Sequence, residues 1–132
     1  MIGINTWAAY PYVGSQTTCR SASGLFKING YANITDCVAL ANALTVRPIS
    51  VAVDGNNFQF YKSGIFYNCA TNLSLAALLV GMNDSFWNVK LSWGTTWGES
   101  GYIRLARGNT CGICQVASYP TVWSIKSTSN IS

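Results

Sequence analysis

Five cysteines, Cys19, Cys37, Cys69, Cys111 and Cys114, are spread over only 132 residues. Cys111 and Cys114 form a C-x-x-C, the spacing of redox-active dithiols and of half of many zinc sites. A zinc site needs two further ligands, and the sequence has neither a second C-x-x-C nor any histidine. The redox motif opens a helix after a strand, whereas Gly108-Asn109-Thr110-Cys111-Gly112-Ile113-Cys114 reads as a loop. Structural disulfides formed in an oxidising compartment are the better expectation. Five is odd, so one thiol is left over.

The lack of histidine closes more options than the sulfur does. No imidazole in these residues can serve as general base, proton shuttle or metal ligand. Charge is also scarce: 9% of residues are charged, against about 25% in a typical soluble domain. The length suits one domain with a real core, and 49% hydrophobic residues with a net charge of +4 exclude disorder. The eight cations stand singly, at Arg20, Lys27, Arg47, Lys62, Lys90, Arg104, Arg107 and Lys126. None clusters into a track for a phosphate backbone, so no nucleic-acid partner is expected. The longest apolar run, residues 75–80, is far below the roughly 18 residues of a membrane span. No metal or cofactor is expected either.

Four tripeptides, beginning at Asn33, Asn72, Asn83 and Asn130, fit the N-glycosylation acceptor pattern N-x-[ST]. With the cysteine count they point to a secreted or lumenal protein carrying N-linked glycans. Met1 is not followed by a basic segment and an apolar core of the signal-peptide kind. The expectation is a mature fragment, or one whose leader lies outside these residues.

Residues 26–34 alternate apolar and polar side chains, as a half-buried strand does. Thr35 or Asp36 caps a short helix over residues 37–44, with Val38, Leu40, Ala41 and Leu44 on its inner side, and Arg47-Pro48 closes it. A β-branched strand at residues 49–53 ends at the Asp54-Gly55 turn. Further strands are expected at 65–67, 75–82, 86–93 and 102–106, with a frayed tail after Trp123. This is one α+β domain, residues 1–125, dominated by antiparallel strands, with residues 126–132 as the tail.

The most specific stretch is Lys90-Leu91-Ser92-Trp93-Gly94-Thr95-Thr96-Trp97-Gly98-Glu99-Ser100-Gly101-Tyr102-Ile103-Arg104. It resembles the K-N-S-W-G-x-x-W-G-E-x-G-Y-x-R signature of papain-like cysteine proteases of the cathepsin L type. Tyr10-Pro11-Tyr12 with Cys19, Pro48-Ile49-Ser50-Val51-Ala52-Val53, Phe58 to Tyr61 with Ser63-Gly64-Ile65-Phe66, and Cys114 with Ala117-Ser118-Tyr119-Pro120 resemble further family elements in the same order. The resemblance runs over roughly residues 2–123. It implies the right-hand lobe of that fold, an antiparallel, barrel-like sheet with one or two short helices. The family's nucleophile belongs to the first half of the catalytic domain, and no segment here resembles it.

That lobe normally supplies a histidine to take the thiol proton and an asparagine to fix the imidazole's tautomer and angle. The family's [ND]-H-A-V corresponds to Ser74-Leu75-Ala76-Ala77, and its K-N-S-W-G to Lys90-Leu91-Ser92-Trp93-Gly94. The resemblance therefore puts Leu75 at the histidine position and Leu91 at the asparagine position, with Trp93 alongside. Replacing both polar partners by hydrocarbon is physically coherent, because neither is left buried and unpaired. The resemblance also implies a Cys69–Cys114 bridge, with Cys37 and Cys111 as the second pair. Cys19 matches a cysteine whose partner lies in the other half, which makes it the unpaired or intermolecular thiol.

The expected function is that of a catalytically inactive papain-like homologue acting as a secreted structural or assembly subunit. The partner would be a further copy of the chain or a separate first-lobe chain. The alternative is one chain of a two-chain pseudoprotease that keeps a peptide-binding groove. The first reading expects the face carrying Leu75, Leu91 and Trp93 to be an exposed apolar surface. Trp7, Tyr10 and Tyr12 are candidate contact anchors, or else core.

Overall fold

A computed structural model describes residues 3–20 and 24–122. These fall into two units, residues 3–20 and 24–31 with 120–122, and residues 32–119. The expected tail at 126–132 and Asn130 lie outside the described residues. The elements in order are β1 (Gly30–Ile34), α1 (Cys37–Leu44), β2 (Ile49–Val53), a 3-10 turn at Phe58–Phe60, β3 (Ile65–Phe66), β4 (Leu75–Met82), β5 (Phe86–Lys90), β6 (Tyr102–Ala106), a second 3-10 turn at Thr110–Gly112, and β7 (Ala117–Thr121).

The sheet order is β1-β7-β2-β4-β5-β6-β3. The pairs β2–β4, β4–β5, β5–β6 and β2–β7 are antiparallel, while β3 runs parallel to β6. The barrel-like antiparallel sheet expected from the sequence is thus corrected to an open, mixed one. A parallel pair needs a long crossover, and residues 67–101 supply it between β3 and β6.

Period-2 alternation builds the core face. Val51 faces Ala77 and Ile49 faces Leu79; Leu79 in turn faces Val89, and Trp87 and Val89 face Leu105 and Ile103. Ile49, Leu79, Trp87, Val89, Ile103 and Leu105 are wholly buried. A bulge between Leu79 and Gly81 shifts the register by one residue, so that Met82 rather than Gly81 meets Trp87.

Helix α1 begins as its sequence demands: the Asp36 carboxylate accepts the Ala39 amide at 2.8 Å. It ends at Thr45, whose hydroxyl donates to the Asn42 carbonyl at 2.6 Å. The inner stripe is corrected at one position, because Val38 is exposed. The helix residues packed in or against the core are Cys37, Ala39, Leu40, Ala41, Ala43 and Leu44; Cys37, Leu40, Ala41 and Leu44 among them form an i, i+3, i+4, i+7 stripe that Val38 does not belong to.

Two disulfides converge on the loop after β6, Cys37–Cys114 and Cys69–Cys111. All four expected cysteines are bridged, but with partners exchanged relative to the expected Cys69–Cys114 and Cys37–Cys111. Local backbone bonding explains the exchange. Asp54 donates its amide to the Cys111 carbonyl at 2.8 Å, its carboxylate accepts the Asn72 amide at 3.3 Å, and Ser74 donates to Val53 at 3.0 Å. These bonds hold the loop carrying Cys69 against Cys111. Cys114 lies three residues further on, beside β2, where Ala52 donates to the Val116 carbonyl; α1 packs on that same strand. Bridges spanning 77 and 42 residues restrict the unfolded chain by on the order of 4 kcal/mol each.

In the first unit, Ile4 and Phe26 exchange backbone hydrogen bonds at 2.7 and 3.2 Å, and the Arg20 guanidinium lies over the Tyr10 ring. Phe26 makes only this bridge, so the strand expected at 26–34 begins at Gly30. Trp7 and Tyr12 are exposed, which removes their reading as core.

Candidate functional site: two leucines beside an aromatic cluster

Leu75 opens β4 opposite Val53 of β2. Leu91 follows the last residue of β5 and donates its amide to the Gly101 carbonyl at 3.0 Å. Because Leu78 pairs with Lys90, continuing the register sets Leu91 across from Ala77, with Leu75 at the diagonal position on the same face. Diagonal neighbours in an antiparallel pair lie about 7–8 Å apart, within reach of long side chains. Leu75 also needs the absence of a side chain at Gly55, where a Cβ would stand 2.8 Å from its Cδ2.

Leu91 is 6% exposed and belongs to the buried core, with Leu75 half-buried against it. The expected open apolar face is corrected accordingly: the leucine at the asparagine position is interior, and burying such a side chain stabilises by about 1.5–3 kcal/mol. Of the three residues, Trp93 alone is substantially accessible, at 40%. Its ring meets Trp97 edge-on at 5.1 Å and Phe58 at 6.4 Å. Phe58 and Tyr61 each take Phe66 edge-on as well, and Trp97 Nε1 donates to the Phe58 carbonyl at 3.1 Å.

A polar corner adjoins the cluster. Glu99 Oε1 accepts the Tyr61 hydroxyl, the Gly64 amide at 3.2 Å and Arg104 Nε at 2.8 Å. The Arg104 hydrogen bond, with that from Tyr61, holds the Glu99 carboxyl below its usual range. Burial, reinforced by the Glu99 carboxylate, pushes the Tyr61 phenol up to about 12, and Glu99 raises Arg104 further. Gly98 makes the corner possible: its φ is +55°, and a Cβ there would meet the Tyr102 carbonyl at 2.7 Å. The sequence reading attached no role to Tyr61, Glu99 or Arg104, although Glu99 and Arg104 sit in the signature stretch itself. Their arrangement braces the loop that carries Trp93 and Trp97.

Behind Leu91, an open depression of about 410 Å³ is lined by Ala76, Ala77, Leu78, Lys90, Leu91 and Ser92. Its walls are hydrocarbon with one ammonium and one hydroxyl, so it offers no acid–base pair. Among the described residues no three metal-ligating side chains come together, and no helix is long and apolar enough to cross a membrane. The remaining predicted positions are scattered: Cys19 is exposed and unbridged, and Asn33, Asn72 and Asn83 are exposed on separate elements. Asn83 Oδ1 accepts the Ser85 and Phe86 amides in the β4–β5 turn.

The family model for papain family cysteine protease matches residues 1–121. The chain belongs to the papain family of cysteine proteases. Among relatives, it is 44% identical over 114 residues to cathepsin L 2 of Paramecium tetraurelia, covering 84% of this chain and 36% of that protein. It is 40% identical over 149 residues to cysteine proteinase COT44 of Brassica napus, covering 98% and 45%. Among solved structures, the bromelain protease of Ananas comosus in complex with the E64 inhibitor superposes with a TM-score of 0.83 at 39% identity, covering 92% of this chain and 64% of that one. The Carica candamarcensis cysteine protease CMS1MS2, in complex with E-64, gives 0.84 at 34%, covering 91% and 62%. The chain thus spans less than half the length of these sequence relatives and is a partial papain-family domain with a papain-like fold.

Proposed function

We propose that this papain-family lobe is catalytically inactive and serves as a secreted, protein-binding subunit of an assembly. One observation carries the reading: Leu75 and Leu91, at the positions where the family signature has histidine and asparagine, lie on one sheet face as hydrocarbon. Papain-type catalysis needs an imidazole beside the thiol and an amide to orient it. These 132 residues contain no histidine, and Leu91 is packed into the core. The paired replacement leaves no orphaned polar partner, as expected of a site whose chemistry is gone while its packing is kept.

Oxidised cysteines and acceptor tripeptides support the secretory location. Exposed Trp7, Tyr12, Phe60 and Trp93 support a binding role. The exposed, unbridged Cys19 also supports a second arrangement, a disulfide-linked separate chain that completes a peptide-binding groove. Light scattering on the native protein after size exclusion, with non-reducing and reducing gels, tests the reading. A mass above that of the single chain is expected, and a disulfide-linked heavier band would favour the second arrangement. A stable monomer without a partner would overturn both.

A further inference from the structure

We propose that Asn72 carries an N-linked glycan, set at the edge of the face that bears Leu75. Asn72-Leu73-Ser74 is an acceptor tripeptide in the irregular segment between β3 and β4. Asn72 is exposed, and among the described residues its side chain makes no hydrogen bond; only its backbone amide is engaged, by Asp54. The folded chain therefore accommodates a sugar on Nδ2 without giving up a contact.

The other described tripeptides are less free. Asn33 lies within strand β1. Asn83 has its amide plane fixed by two backbone donors, and Asp84 follows it, a carboxylate beside an acceptor that must meet an anionic donor. The two disulfides call for the same oxidising lumen in which glycans are transferred. Scarce charge, 9% of residues, leaves a polar solubilising group with work to do.

The transfer balances simply. Asn72 Nδ2 attacks the anomeric carbon of an oligosaccharide linked to a lipid pyrophosphate. The bond from that carbon to the pyrophosphate oxygen breaks, a carbon–nitrogen bond forms, one amide proton is lost and the lipid pyrophosphate leaves. The glycan then stands three residues before Leu75. Beside Leu75 and Leu91 it has no reaction to obstruct.

The inference rests on the lumenal location proposed above. Its test is tryptic mapping of the native protein, with enzymatic deglycosylation in heavy-oxygen water and fragmentation of the reduced peptide 63–90. Heavy-oxygen aspartate at position 72 is expected. In secreted full-length chain, Asn72→Gln should lose one glycan's mass on a gel while Asn83→Gln keeps the mobility unchanged. Unmodified Asn72 in protein recovered from the medium overturns the glycan but leaves the secreted, inactive subunit standing. Failure to recover any protein from the secretory route overturns both the glycan and the location, while the loss of catalysis is judged separately by peptide hydrolysis.

Discussion

Two regions that each draw on the stretch from Lys90 to Arg104 have opposite chemistry. At the Glu99 corner, one carboxylate oxygen gathers a phenol, a backbone amide and a guanidinium, and no buried side-chain nitrogen or oxygen among the described residues lacks a partner. At the Leu75–Leu91 site, the positions that hold a polar pair in the family signature are hydrocarbon, one of them interior. The contrast teaches that the structural and the catalytic parts of the family pattern are physically separable. Trp97, Gly98, Glu99 and Arg104 are demanded by the loop's geometry, whereas the pair at 75 and 91 is demanded only by a reaction.

The sharpest way to break this comparison is to put polarity back singly. Leu91→Asn loses core packing and buries an amide with no imidazole to receive it, so it should destabilise by roughly 2–4 kcal/mol in urea unfolding. A neutral Leu91→Asn would mean that position 91 is still built for an amide. Glu99→Gln leaves Tyr61 and Gly64 with a weaker acceptor, and because Glu99 is about a third exposed, the expected cost is smaller, about 1 kcal/mol.

Leu75→His combined with Leu91→Asn should cost less than the sum of the single changes, with a coupling on the order of 1 kcal/mol, because the two groups can then satisfy each other. Strict additivity would show that the two positions do not meet. The smallest effects are at the ends of the pH range. Tyr61 is raised from 10.0 to about 12 in the folded state, so its stabilisation is full below pH 10 and lost as pH rises towards 12. Glu99 is lowered from 4.5, so its contribution is present above that value and lost as pH falls through the lower folded value. Glu99→Gln should flatten the acid limb of a stability–pH profile, and an unchanged limb would count against the corner as described.

Much of the frame was legible because local chemistry fixed it. Asp36 caps α1, Asp54-Gly55 closes β2, and the run at 75–82 is strand β4 end to end. What escaped depends on distant partners. Ala117–Thr121 carries Pro120, a residue that argues against a strand interior, yet β7 pairs with β2 through Ser118 and Ala117. The strand expected over 86–93 ends at Lys90, and Gly94, Gly98 and Gly101, all at positive φ, turn the chain in the loop that follows. The disulfide partners were swapped because Cys111 and Cys114 are only three residues apart. The choice between them is made by the hydrogen bonds of Asp54, which no spacing reveals. The site positions themselves came from the signature, and burial then separated them: Leu91 inside, Leu75 at the margin, Trp93 accessible.

The central claim is that this lobe does not support papain-type catalysis. The most direct measurement is hydrolysis of fluorogenic peptide substrates by the purified native protein between pH 4 and 8, alongside covalent labelling by a thiol-directed active-site inhibitor. The expected result is no turnover above background and no label incorporated. Turnover that is blocked by the inhibitor and changed by substitution of Leu75 would contradict the account.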